Sequence, residues 1–119
     1  MEKRAEFDIF FIDFHRNDEG MHIRAVVSNI GDIDGEATVN CYVKNVDTGF
    51  SAVASSVESG VIPKGESITV SWKFTDNEIA EKNENFTLLK AGEYVFGLGE
   101  NRDTAVEVYS LNLLGDKYL

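Results

Sequence analysis

The sequence predicts an all-β chain folded as an antiparallel sandwich or barrel, and three observations carry that reading. Short runs of alternating apolar and polar residues succeed one another along the 119-residue chain. Gly-, Asn- and Asp-rich breaks separate these runs at intervals of about 8 to 12 residues, the spacing of a sandwich or barrel. Hydrophobic residues make up 43% of the chain, and at this size area scaling lets about two thirds of the unfolded surface be buried. The chain has a single cysteine and only two histidines, so burial rather than a disulfide or a structural zinc set must hold the fold. Residues 1–119 are expected to form one domain.

The first element predicted is a hairpin, with strands Phe7 to Arg16 and Met21 to Asn29 closed by the turn formers Asn17-Asp18-Glu19-Gly20. Pairing Arg16 with Met21 places His15 opposite His22, Phe14 opposite Ile23, Asp13 opposite Arg24, Ile12 opposite Ala25 and Phe11 opposite Val26. An opposite-charge pair then falls across the strands. Phe14, Ile12 and Phe10 join Ile23, Ala25 and Val27 in one inward face. The glycine-bearing stretch Asn29 to Gly35 leads to a strand over Glu36 to Val46, where Ala37, Val39, Cys41 and Val43 alternate with Thr38, Asn40, Tyr42 and Lys44. Asp47-Thr48-Gly49 and Ile62-Pro63-Lys64-Gly65 are turns, each separating two strands.

Glu66 to Phe74 is the clearest run, with Ile68, Val70, Trp72 and Phe74 on one parity and Ser67, Thr69, Ser71 and Lys73 on the other. Thr75 to Ala91 is the longest break, acidic at Asp76, Glu78, Glu81 and Glu84, with room for one helical turn. Glu93 to Leu98 and Thr104 to Tyr109 close the series, the first with Tyr94, Phe96 and Leu98 inward, the second with Val106 and Val108 inward.

From Ala25 onward the order of features resembles the CARDB family, the immunoglobulin-like cell adhesion related domain found in bacteria and common in archaeal surface proteins. The resemblance rests on Val26-Val27-Ser28-Asn29-Ile30-Gly31 leading to Gly35 through Val43, on Val61-Ile62-Pro63-Lys64-Gly65-Glu66 entering the Trp72 strand, and on Ala91-Gly92-Glu93-Tyr94-Val95-Phe96. It covers about two thirds of the chain. The long segment after Phe74 and the aromatic first strand depart from the family pattern. The resemblance implies an immunoglobulin-like antiparallel sandwich of about seven strands and a role in adhesion, spacing or protein contact at a cell surface. In physical terms, Gly31, Gly35 and Gly65 are expected to supply positive φ. Tyr94 is expected as a buried corner tyrosine, with Trp72 and Phe96 filling the space that an inter-sheet cysteine pair takes in antibody domains.

Eleven basic residues against 21 acidic ones give a formal charge of −10. That charge repels phosphate backbones and anionic head groups at long range, so no nucleic-acid partner is expected. No apolar stretch approaches the roughly 20 residues of a membrane helix, so no membrane insertion is expected either. The opening Met1-Glu2-Lys3-Arg4 has no apolar region behind it, so no secretory signal is read in this chain.

Candidate sites are few. His15 and His22 stand side by side in the predicted hairpin, half of a metal set, but Asp13 already faces Arg24, and two solvated histidines are the better reading. Asp32, Asp34 and Glu36 alternate in one loop, with Asp103 at the same end. They lack EF-hand spacing, which favours ordinary Asx turns over calcium. Tyr42 and Tyr109 fall on outward parities where a sugar ring stacks, whereas Trp72 shares the core parity. Ile9, Phe11 and Val26 cluster on the exposed side of the hairpin and form the candidate protein interface, unless a bulge turns Phe11 inward. No nucleophile elbow, phosphate loop or zinc-protease motif is present, and Gly97-Leu98-Gly99 precedes no helix. Neither catalytic residues, nor cofactors, nor metal ligands are expected. Asn85-Phe86-Thr87 is a glycosylation acceptor sequence.

The expected function is that of a non-enzymatic interaction module of a cell-surface or secreted protein, as a segment of a larger chain, monomeric or weakly homo-oligomeric, whose partners are other protein domains or subunits. A soluble stator-like subunit of an archaeal surface filament, or a calcium- or carbohydrate-binding module, is the alternative.

Overall fold

The computed structural model describes residues 3–17, 20–49, 51–75 and 92–113. Seven strands run in order β1 (Phe7–Asn17), β2 (Gly20–Asn29), β3 (Gly35–Asn45), β4 (Ser51–Ile62), β5 (Ser67–Phe74), β6 (Gly92–Gly99) and β7 (Val106–Leu113). They form two antiparallel sheets, β1-β2-β5 and β4-β3-β6-β7. The predicted all-β sandwich is therefore the observed one. The helical turn expected between Thr75 and Ala91, the acidic residues there and the sequence Asn85-Phe86-Thr87 lie outside the described residues, as do Asp18 and Glu19 of the hairpin turn.

Period-2 alternation puts one parity of each central strand inside. Ile23, Ala25 and Val27 of β2, Val39, Cys41 and Val43 of β3, Trp72 of β5, and Tyr94, Phe96 and Leu98 of β6 are buried in one core. Trp72 and Phe96 fill the middle as expected. The Trp72 indole Nε1–H donates 2.9 Å to the Val39 carbonyl oxygen and so ties the two sheets together across the core. Fully burying a ring of this size while satisfying its one polar atom is the arrangement that gains its hydrophobic contribution without a desolvation penalty.

The hairpin register matches the expectation from Arg16↔Met21 to Asp13↔Arg24 and then shifts, with Phe11 opposite Ala25, Phe10 opposite Val26 and Ile9 opposite Val27. Ile12 is the extra residue of a β-bulge, and one inserted residue reverses every parity before it. Phe14 faces the core as predicted, whereas Phe10 and Ile12 are 62% and 42% exposed. Phe7 and Ile9 pack against the core in their place. A second bulge, between Phe96 and Gly97 on the β6–β7 ladder, sets Tyr109 opposite buried Phe96 and Glu107 opposite Gly97. Tyr109 thus falls on the core-side parity, still 36% exposed at the sheet edge, and its ring stacks on Phe14 with centroids 4.0 Å apart and planes 7° apart. β7 also begins at Val106 rather than Thr104, and Val106 is exposed at the sheet edge.

The glycines serve two different needs. Gly65 has φ +78° and is the third residue of the Pro63–Glu66 turn, whose Glu66 N–H donates 3.0 Å to the Pro63 carbonyl. Gly31 and Gly35 do not adopt positive φ, contrary to expectation. A Cβ on Gly31 would lie 2.4 Å from the Arg4 carbonyl oxygen, and one on Gly35 2.5 Å from Ala5 Cβ. The chain before β1 is laid against this loop by the Ile30 N–H to Glu6 O and Asp32 N–H to Arg4 O hydrogen bonds, and only glycine admits it so closely.

Candidate functional site

Two outward faces are available, one per sheet. On the three-stranded sheet, direct pairing sets up successive cross-strand rows: Asp8, Ser28 and Ser67; Phe10, Val26 and Thr69; Asp13, Arg24 and Ser71; His15, His22 and Lys73. The Ser28 and Ser67 hydroxyls bond each other at 2.7 Å. Arg24 grips Asp13 with two donors, Nε to Oδ1 at 2.9 Å and Nη2 to Oδ2, the bidentate fork geometry of a guanidinium on a carboxylate. Hydrogen bonding from Arg24 holds the Asp13 carboxyl below the usual carboxylate range. Two carboxylates and two cations balance on this face of a strongly acidic chain.

The interface expected at Ile9, Phe11 and Val26 is not assembled. Ile9, opposite the fully buried Val27, packs against the core, and Phe11, opposite Ala25, is 36% exposed on the core-side parity, while Val26 points outward beside Phe10. The bulge at Ile12 is the cause. The apolar part of this face is instead Phe10 and Val26, and Phe10 was invisible as an outward residue because the unbroken parity placed it in the core.

His15 and His22 are neighbours as expected, but the third member of their row is Lys73, a cation that disfavours a metal there. Among the described residues no three His, Cys, Asp or Glu side chains gather where an ion would sit. In the loop after β2, the Asp34 carboxylate accepts the Lys64 backbone N–H at 2.9 Å, a long-range bond to the turn before β5 rather than the local Asx turn anticipated for it. Cys41 is fully buried as a free thiol, and burial pushes its pKa up to about 12. A thiol that stays protonated at neutral pH does not serve as a nucleophile.

The second face carries a groove. On the outer side of β4-β3-β6-β7, Tyr42 pairs with Gly97, and Gly97 with Glu107. The neighbouring row contains Ser51, Lys44 and Val95. Together with Ala105 and Arg102 from the connection between β6 and β7, these residues line a depression of about 310 Å³, near the lower end of small-molecule pockets. The Arg102 guanidinium lies 5.5 Å from the centroid of the Tyr42 ring. Asn101 Oδ1 accepts both the backbone N–H and the hydroxyl of Thr104 at 3.0 Å, shaping the turn that carries Arg102. Asn40 Nδ2 donates to the Tyr42 hydroxyl at 3.0 Å and to the Glu100 carbonyl at 3.3 Å, fixing the ring from the other side. Of the two tyrosines expected outward, Tyr42 alone is there. The sequence reading overlooked Lys44, Val95, Gly97, Arg102 and Glu107; the available signal was a glycine at an outward position inside a strand.

No protein-family model matches the sequence, and no curated protein matches it significantly. Solved structures do resemble it. A β-glucosidase from Kluyveromyces marxianus superposes with a TM-score of 0.77 at 19% identity, over 92% of this chain and 14% of that one. β-Glucosidase 3B from Thermotoga neapolitana gives 0.77 at 18% identity, over 94% and 16%. The GH3 β-glucosidase from Bifidobacterium adolescentis gives 0.75 at 22% identity, over 94% and 18%. At such identities the likeness is one of fold, and the chain spans less than a fifth of the length of these three neighbours.

Proposed function

We propose that this chain is a non-enzymatic immunoglobulin-like module of a larger cell-surface or secreted protein, CARDB-like in role, which works by contact with another protein domain or subunit. The observation that carries the reading is the outer face of β1-β2-β5. There a phenylalanine 62% exposed stands beside Val26 on a charge-balanced patch, in a chain whose formal charge is −10. Exposed apolar surface framed by polar residues marks contact sites, and a neutral patch lets a partner approach where the remaining surface repels acidic ones. That solved neighbours carry this fold as a small fraction of a long chain supports a modular role.

The identity of those neighbours favours a second reading, an accessory module beside a carbohydrate-active domain. A filament subunit would use the same face, in self-association. Light scattering across a concentration series, beside thermal melting with calcium, EDTA and glucose, tests the contact role. Concentration-dependent association abolished by Phe10→Ser, with the melting temperature unchanged, is expected for a contact face that other copies can occupy in the absence of its partner. A chain monomeric at every concentration, with melting raised by calcium or glucose, overturns the contact reading in favour of a ligand module.

A further inference from the structure

We propose that the groove on the outer face of β4-β3-β6-β7 is a binding site for a hexuronate ring, free or as a unit of an acidic glycan. The inference begins with Gly97. Glycine weakens a strand interior, through backbone entropy and the missing side chain, and it persists there where φ is positive, where another backbone crowds in, at a bulge, or where something else comes close. The bulge beside Gly97 has its extra residue, Val108, on β7 and not on the strand of Gly97. The first need is absent, since Gly97 does not have positive φ. So is the second: a Cβ built on Gly97 would make ordinary contacts, 3.4 Å to the Val106 carbonyl oxygen and 3.6 Å to Ala105 Cβ. Two residues along, a Cβ on Gly99 would lie 2.6 Å from Ala105 Cα, so that glycine is demanded by packing. What Gly97 supplies is a low, buried floor to the groove between Tyr42 and Glu107, its two partners in the row.

The walls specify the ligand. Val95, Gly97 and Ala105 give an apolar floor, suited to the C–H face of a pyranose, while Ser51, Tyr42 and Glu107 bring hydroxyl and carboxylate oxygens to its edges. Asn40 occupies the Tyr42 phenol as an acceptor, leaving the hydroxyl hydrogen to donate. Lys44 and Arg102 supply two positive charges against the one negative charge of Glu107. The surplus of one positive charge matches one carboxylate and mismatches both a neutral sugar and a zwitterion. Arg102 is carried to it by the Asn101-braced turn, with its guanidinium 5.5 Å from the Tyr42 ring centroid, and its N–H edges form the fork that carboxylates accept. Small-molecule sites combine an apolar floor with a few convergent polar groups in this manner. The site lies on the opposite sheet from Phe10 and Val26, so it stands or falls independently of the contact role.

Amide-resolved NMR titration of the whole chain at low salt, where exposed charges act most strongly, tests the proposal with galacturonate, a short oligogalacturonide, glucose and acetate as probes. Saturable shifts at Val95, Gly97, Ala105 and Glu107 are expected with galacturonate, and glucose and acetate should bind about tenfold more weakly or worse. Tighter binding of the oligomer identifies a glycan as the source, and equal binding identifies the free acid. Gly97→Val, which fills the floor with a strand-favouring residue, and Arg102→Ala, on an exposed turn, should each weaken galacturonate about tenfold. Should Gly97→Val also lower the melting temperature, Arg102→Ala and Lys44→Ala carry the test. Absence of saturation with both uronates, acetate binding as well as galacturonate, or unchanged affinity in Arg102→Ala overturns the proposal.

Discussion

Asn29 shows how much one polar residue organises. It is 1% exposed, yet every group it has is used. Its Nδ2 donates to the carbonyls of Ile33 and Ile62, both at 2.9 Å. Its Oδ1 accepts from Gly31 N–H at 3.0 Å, and its backbone N–H and C=O bond Glu66 O and Gly65 N. One residue thereby joins the end of β2, the loop to β3, the end of β4 and, through its backbone, the turn into β5. The sequence reading identified Asn29-Ile30-Gly31 as a turn but not as a buried hub, because its side-chain partners lie as far as 33 residues away and no local pattern announces them. Asn29→Ala removes three hydrogen bonds and strands the buried Ile62 carbonyl, so it should cost about 2 to 4 kcal/mol. Asn29→Asp, which sets a carboxylate against two carbonyls, should cost at least as much. Urea unfolding midpoints measure both; a loss under about 0.5 kcal/mol, the range of ordinary surface changes, would mean that water replaces the side chain.

Strands with unbroken apolar alternation were legible, the edge strand β5 as well as the central β2, β3 and β6, and strands without it were not. The core parities of β2, β3, β5 and β6 follow from alternation alone, because a one-residue slip would turn each apolar set to solvent. β1 and β7 are edge strands, each held by one ladder, and each carries a bulge on it that alternation does not reveal. β4, with serine at Ser51, Ser55, Ser56 and Ser59, shows little alternation and was inferred only from its flanking turns. The β7 bulge brings Tyr109 face to face with Phe14 of β1, which also lies 5.1 Å from the Phe96 ring. This stack closes the open side of the sandwich where β1 and β7 have no further strand beside them. Phe14→Ala and Tyr109→Ala should each destabilise by about 2 to 3 kcal/mol, less than a fully buried ring, with a coupling of about 1 kcal/mol between them in a double-mutant cycle. Phe10→Ala, on the same strand but facing out, should stay within about 0.5 kcal/mol. Additive losses at Phe14 and Tyr109 would show that the stack does not link the edges.

At the scale of the whole molecule, composition foretold a sandwich held by burial, while the candidate sites were hidden because each depends on strands distant in sequence meeting with the correct face outward. The same two properties, a dry core and a large negative charge, set the pH window of stability. At the acid end, the Asp13 carboxyl is held below its ordinary pKa by hydrogen bonding to Arg24. Its contribution is present above the unfolded pKa and disappears as pH falls through the lower folded value. At the alkaline end the sign reverses. The Cys41 thiol ionises near 9 when unfolded but only at about 12 in the core, so the folded state retains a proton that the unfolded chain has released. Stability is then fully present below pH 9 and is lost as pH rises toward 12, by about 1.4 kcal/mol per pH unit. Self-repulsion among 21 acidic residues grows in the same direction as the basic groups neutralise. Cys41→Val separates the two effects, since it keeps the apolar volume and removes the ionisable group. Denaturant unfolding at pH 8, 10 and 11 should show the wild type losing about 1.4 kcal/mol per unit relative to the variant above pH 9, superimposed on a decline common to both. Parallel curves would place the thiol in contact with water and remove it from the dry interior between the sheets.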